Sequence, residues 1–355
     1  KKITGTCVEY NNHALGDALI LGQSKQTLKF IKGTHYMDNS TTLVTSTIKG
    51  MHHVGIAVSD VEKSVEFYQS VTALKRINHD NIAGYLPEPC EKSAVLKGPN
   101  GYLQLMQFAG PSDLSEVPVA GPGVTHLCLQ SPAEDALFNK FINNGARPVS
   151  KGDQPIDLNG QGVRYGYARD ADNIMFEIEQ LDQPRFEGSI WIAHIALVTP
   201  DLDQSVAFYR NLLGVETYGL VNKVMGERFD EVTGIEKVRI RVAWFNTGNM
   251  VLEIWEYVNP KTPHPGEPLP FSKIGYNKIA LEVDDLEAEL SRLKRMGVEC
   301  LNEPEEINGI TEVYFRDPDG NLISLLKPNP SAEVGVTNLE HMPWLPSPSN
   351  PTAGK

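Results

Sequence analysis

Cysteine is scarce in this chain. Cys7, Cys90, Cys128 and Cys300 are scattered, with no C-x-x-C pair among them. That excludes a disulfide framework and a zinc knuckle, and it fits free thiols in a reducing compartment such as the cytoplasm. Basic runs are lacking too. Acidic residues outnumber basic ones 45 to 32, a formal net charge of −13. Nucleic acid and anionic membrane surfaces are therefore not expected partners. No apolar run approaches the roughly 18 residues needed to span a bilayer. The "NST" at Asn39 is a glycosylation sequon by pattern alone.

What the chain has instead is repetition. "HVGIAVSDVEKSVEFY" (53–68) and "HIALVTPDLDQSVAFY" (194–209) agree at six of sixteen positions: the His, an Asp seven residues later, then Ser, Val, Phe and Tyr. The Asp suits a helix N-cap. After it, apolar residues recur at i, i+4 and i+7, one face of a helix. Weaker copies begin at His126 ("HLCLQSPAEDALFNKFINNGARPV") and Lys278 ("KIALEVDDLEAELSRLKRMGVECL"). Each of those closes its helix with a Gly, Gly145 or Gly297. About three strand-like runs follow every helix. The pattern predicts an α+β chain of four β-α-β-β-β units. Units one and two occupy 48–183, and units three and four 184–329, joined by a linker near 180–189. Residues 1–47 form an extension outside the repeat. Residues 330–355, with Pro343, Pro346, Pro348 and Pro351, form an extended tail.

Alternation along the strands assigns faces. In "HVGIAV", Val54, Ile56 and Val58 share the face that packs on the helix, and His53 lies opposite with Gly55 and Ala57. His126 and His194 also stand opposite bulky apolar residues, among small neighbours. In the last strand of a unit, Gln104, Glu177 and Glu253 take the corresponding face. A carboxylate among apolar neighbours in mid-strand is costly unless it is paired or metal-bound. These side chains point to a concave, liganded surface.

The opening "HxxxxxxD…FY" and the closing "RDPDGNLISL" (316–325) resemble the vicinal oxygen chelate superfamily. That superfamily includes glyoxalase I, extradiol dioxygenases, methylmalonyl-CoA epimerase and fosfomycin-resistance proteins. The resemblance covers roughly residues 50–328. It implies βαβββ modules paired into two incomplete barrels, each with metal-ligand positions on the first and last strand of a unit. Carried over by position, units one and two supply His53, Gln104, His126 and Glu177 as ligands for one divalent ion: Fe, Mn, Co, Ni or Zn. Units three and four supply His194, Glu253, Lys278 and Ser324. Lysine and serine there make the second site degenerate, with His194 and Glu253 a buried hydrogen-bonded pair.

The His, Gln, His, Glu order is most like that of methylmalonyl-CoA epimerase; glyoxalase I commonly uses a more carboxylate-rich set. The resemblance implies an isomerase, epimerase or lyase that removes a proton next to a metal-chelated carbonyl of a small oxygenated substrate. By position the base is Glu88, with Glu91 behind it and Glu177 as a second candidate. Tyr167, ten residues before Glu177, is placed to hydrogen-bond substrate. Two other readings stay open. One is an extradiol-type Fe(II) dioxygenase on the His, His, Glu triad. The other is a metal-free small-molecule binding protein. Partners beyond a small-molecule substrate are not expected, and the chain is read as a monomer or homodimer.

Overall fold

The computed structural model describes residues 45–79, 88–110, 113–158, 160–330 and 332–342. The Asn39 sequon, nearly all of the 1–47 extension and the prolines from 343 onward lie outside the described residues.

Unit one comprises β1 (Ile48–Ala57), α1 (Val61–Val71), β2 (Lys75–Arg76), β3 (Cys90–Lys97) and β4 (Tyr102–Phe108). Unit two comprises β5 (Gly123–Pro132), α2 (Leu137–Asn143), β6 (Arg147–Pro148), β7 (Ile156–Asp157), β8 (Val163–Arg169) and β9 (Met175–Leu181). Unit three comprises β10 (Trp191–Val198), α3 (Leu202–Leu213), β11 (Gly219–Met225), α4 (Glu227–Thr233), β12 (Arg239–Asn246) and β13 (Val251–Asn259). Unit four comprises β14 (Gly275–Val283), α5 (Leu286–Arg295), β15 (Glu305–Ile307), β16 (Ile310–Arg316) and β17 (Leu322–Pro328). The two expected aspartates, Asp60 and Asp201, cap α1 and α3, and Asp285 does the same for α5. Asp60 accepts from the Glu62 and Lys63 amides, Asp201 from Gln204 and Asp285 from Ala288. Each satisfies amides that the first helical turn leaves open. The helix α4 was not foreseen.

Among the described residues the strands form two sheets. One runs β15-β16-β17-β14-β1-β4-β3-β2 and the other β11-β12-β13-β10-β5-β9-β8-β6. Unit one is therefore joined to unit four through the antiparallel β1–β14 pair, and unit two to unit three through β5–β10. This corrects the expectation that units one and two would close one barrel. Units one and two, and likewise units three and four, meet differently, through their helical sides. The Tyr68 hydroxyl donates to Asp170 at 2.5 Å, and Tyr209 to Asp317 at 2.7 Å. The Tyr of each "FY" thus grips the Asp of the next unit's "RD" turn. Ser59 adds two bonds to Asp172. With α1 and α2 side by side, Phe67 meets Phe141 edge-on at 5.5 Å, and their sheets are left to find edges elsewhere.

The helix-facing sides of both sheets share one core, from Val54, Ile56 and Tyr68 to Phe176, Tyr209 and Phe315. The inner faces carry separate clusters. Trp191, Trp244, Trp255 and Tyr257 belong to the β5–β10 barrel, which α4 covers with Phe229 and Val232. Residues 332–342 are not a free arm. Val334, Val336 and Leu339 pack on Val95, Tyr102 and Leu326 of the β1–β14 barrel.

Two buried asparagines bind the barrels to each other. The Asn100 side chain, between β3 and β4, accepts from the Ile192 amide and donates to the Ile192 and Asn249 carbonyls. Asn249, between β12 and β13, accepts from the Met51 amide and donates to the Met51 and Asn100 carbonyls. Buried backbone groups left without partners are costly, at about 1 kcal/mol or more per net bond. Asn249→Ala should therefore lower unfolding free energy by about 3 kcal/mol, read as a lower urea midpoint. An unchanged midpoint would show that the tie carries no stability.

Candidate metal centre

The register of β5, β9, β10 and β13 determines which side chains meet. His126 lies opposite Ala196, and His194 opposite Cys128. Glu177 lies beside Cys128, and Glu253 beside Ala196. Small residues at the crossing points leave room for four polar side chains on one concave face. One donor atom from each of His126, Glu177, His194 and Glu253 falls within 4.8 Å of all the others. All four residues are buried.

Their contacts are close. Glu177 Oε2 lies 3.2 Å from His126 Nε2 and 3.0 Å from His194 Nε2. His194 Nε2 is also 3.1 Å from Glu253 Oε2. The Trp244 indole N–H donates to the other Glu253 oxygen at 2.6 Å. Burial alone would push the Glu177 carboxyl up, but the bonds from both imidazoles outweigh it and hold it low. Burial pushes Glu253 up, and the nearby Glu177 charge adds to this against the pull of His194. His194 is disfavoured as a cation by burial, yet the Glu253 and Glu177 charges raise it above the usual imidazole range. His126 is lowered, burial outweighing its bond to Glu177.

The donor set fits a divalent cation. A single N–H on His194 Nε2 faces two carboxylates and cannot serve both. Two carboxylates in a dry interior call for two positive charges, which an ion with two imidazole and two carboxylate ligands would bring. A second grouping, Cys128, Glu177, Glu179 and His194, shares two of these residues, but Glu179 already accepts from Gln130 at 2.7 Å. Around the four donors stand aromatic walls. The Tyr167 ring is 5.1 Å from that of His126, and Trp255 is 5.8 Å away. The buried Tyr167 hydroxyl has no hydrogen-bond partner.

The sequence-derived ligand set is thus divided between the two barrels. His126 and Glu177 meet here. His53 and Gln104 lie on β1 and β4 of the other sheet, because β1 pairs with β14 and not with β5. His194 and Glu253 do lie within hydrogen-bonding distance of each other, but as half of the four-residue cluster. Glu88 does not join the cluster. Its Oε1 accepts from the Phe271 amide at 2.7 Å at the edge of a cleft between the sheets. Glu91 is exposed. Tyr167 is at the site, opposite Glu177 across the β8–β9 pair. Trp244 and Trp255 were missed: nothing in "AWFN" or "EIWEY" distinguishes an indole at a site from an indole in a core.

Trp244 fixes one oxygen of Glu253, so Trp244→Phe tests that positioning. Loss of such a supporting bond typically costs about 10–100-fold in metal affinity or activity. The variant should show that loss with an unchanged fold by circular dichroism. Full activity and full metal affinity would remove Trp244 from the site.

Residues 50–178 and 191–325 each match the profile described as Glyoxalase/Bleomycin resistance protein/Dioxygenase superfamily. The chain is 31% identical to a 2-epi-5-epi-valiolone epimerase from Actinomyces sp over 149 residues, 39% of this chain and 80% of that protein. It is 26% identical to the human mitochondrial methylmalonyl-CoA epimerase over 155 residues, 41% of this chain and 80% of that one. Among solved structures it is similar in fold to glyoxalase I from Zea mays. The TM-score is 0.55 at 19% identity, covering 78% of this chain and 92% of the maize chain.

Proposed function

The chain belongs to the Glyoxalase/Bleomycin resistance protein/Dioxygenase superfamily, and from that premise we propose a divalent-metal-dependent isomerase, epimerase or lyase. It moves a proton next to a carbonyl of a small oxygenated substrate, in the barrel of units two and three. The observation that carries this reading is the buried convergence of His126, Glu177, His194 and Glu253 within 4.8 Å. These four would hold the metal, which is Fe, Mn, Co, Ni or Zn. When bound, the ion supplies Lewis acidity at the carbonyl oxygen, where negative charge collects as the proton leaves.

The remaining chemistry falls to the chain's own groups. Glu177 Oε2 is engaged by both imidazoles, which suits a carboxylate that stays ionised and in place. Glu253 has one oxygen anchored by Trp244 and the other beside a single imidazole nitrogen. It is the freer of the two carboxylates and takes the proton from carbon. The same carboxyl can return that proton to a neighbouring carbon. Tyr167, with an unengaged hydroxyl, orients a substrate oxygen. The three tryptophans and α4 exclude water and favour a substrate with an apolar body.

This set departs from the His, Gln, His, Glu order expected from the sequence. It is the more carboxylate-rich kind. It also weighs against the dioxygenase reading, because Glu253 occupies a position that a two-histidine, one-carboxylate iron site leaves open.

Metal analysis of the purified protein, followed by two assays on a panel of oxo compounds and catechols, tests the reading. Solvent deuterium should enter the substrate at a carbon next to the carbonyl, and only in metal-loaded protein. Oxygen consumption with a catechol would replace this reading with the dioxygenase. Absence of any bound metal would leave a binding protein.

A further inference from the structure

The barrel of units one and four repeats the same register with other chemistry. His53 lies opposite Ala280 as His194 lies opposite Cys128, and Lys278 opposite Gly55 as His126 lies opposite Ala196. Gln104 is beside Gly55 as Glu253 is beside Ala196, and Ser324 beside Ala280 as Glu177 is beside Cys128. The four positions that converge in one barrel are thus His53, Gln104, Lys278 and Ser324 in the other. An imidazole has become an ammonium, one carboxylate has become a hydroxyl, and the other has become an amide.

A fourth exchange accompanies these three. Tyr314 is opposite Ser324 as Tyr167 is opposite Glu177. Two residues before each tyrosine stands Glu312 in unit four and Tyr165 in unit two. Lys278 Nζ lies 3.1 Å from Glu312 Oε1 and 3.0 Å from the Tyr314 hydroxyl, and both charged side chains are fully buried. Unit four lost a carboxylate on its last strand, carries one on the strand before, and gained a fixed cation facing it. A metal site that had merely decayed would have no reason to acquire a matched buried ion pair, whose desolvation is costly.

We propose that this second barrel is a metal-independent binding site for a small uncharged molecule with adjacent carbonyl and hydroxyl oxygens, the Lys278 ammonium standing where the other barrel would hold its divalent ion. Lys278 has three N–H donors, and Glu312 and Tyr314 engage two of them. The third serves the carbonyl oxygen. His53 Nε2 and Ser324 Oγ are buried without hydrogen-bond partners and serve the hydroxyl. Because Glu312 balances Lys278, a charged ligand would bring an uncompensated charge into a dry site, so the ligand is neutral. The cleft between the sheets, of about 440 Å³, is lined in part by Phe271 and Leu322. Both also pack with Tyr314 in one apolar cluster. Glu88, through its bond to the Phe271 amide, holds that wall.

The equivalence rests on reading the other barrel's four donors as a metal site, and the experiment separates the two claims. Full-length protein is stripped with chelator and titrated with Co(II). One equivalent should bind, and none in His194→Gln. Hydroxyacetone is then titrated calorimetrically into the metal-free protein. One equivalent should bind, equally well in His194→Gln. Affinity should fall at least tenfold in Lys278→Met/Glu312→Gln, which removes both charges so that neither is stranded, and several-fold in the smaller change Ser324→Ala. Copying the metal barrel with Gln104→Glu/Lys278→His/Ser324→Glu/Glu312→Tyr should raise Co(II) from one equivalent to two. Absence of saturable hydroxyacetone binding, or binding indifferent to both the Lys278 and Ser324 variants, overturns the inference. Binding that depends on Lys278 in a protein that takes up no Co(II) would sink the metal reading and leave this one standing.

Discussion

His194→Gln is expected to strip the metal and lower proton exchange by about 10³-fold, the scale of losing a principal electrostatic stabiliser. His53→Gln is expected to leave metal content and turnover unchanged. The two histidines occupy matching positions in their units, and only the strand pairing separates their consequences. His194 Nε2 lies 3.0 Å from Glu177 and 3.1 Å from Glu253, so removing its ring leaves two buried carboxylates facing each other. His53 has Lys278 and Ser324 across its sheet instead. Metal content by mass spectrometry and exchange rate on the same preparations decide the matter. Loss of metal in His53→Gln with retention in His194→Gln would reverse the assignment of the two barrels.

Glu253→Gln separates metal binding from proton transfer. An amide oxygen can still face the ion, so the variant should retain most of its metal. It has no basic oxygen, so exchange should fall by about 10²–10⁴-fold, the usual worth of a positioned general base. Glu177→Gln should fail earlier, at metal binding, because its Oε2 is the atom that both imidazoles approach. The measurement is solvent deuterium uptake into substrate at saturating Co(II), with bound metal quantified alongside. A Glu253→Gln enzyme that exchanges at the normal rate would move the base to Glu177.

The units themselves were legible because periodicity and capping are local. Asp60 and Asp201 announce their helices within four residues, and strand alternation assigned His126, Glu177, His194 and Glu253 to inner faces. Which units share a sheet is a long-range fact. Ile48 pairs with Val283 across the whole length of the repeat, and no local pattern carries that. One signal was nevertheless present. Units two and three each keep a His and a Glu, at 126 and 177 and at 194 and 253. The substitutions Gln104, Lys278 and Ser324 all fall in units one and four. Had the first and last units been paired, the intact residues would have fallen together. Glu88 was misplaced for another reason. A positional analogy fixes distance along the chain, whereas the fold sends that segment to Phe271 at the rim of the cleft.

The nesting of one sheet's strands inside the other's along the chain has a consequence for synthesis. As the polypeptide leaves the ribosome, β5 meets its partner β10 after some sixty residues, and the inner sheet can close early. The edge of β1 stays open until β14 emerges, more than two hundred residues later. Through that interval the nascent protein carries an uncovered apolar strand, the kind of surface on which neighbouring chains assemble wrongly. Folding yield should then depend on how fast unit four is made, and chaperone demand should fall on β1.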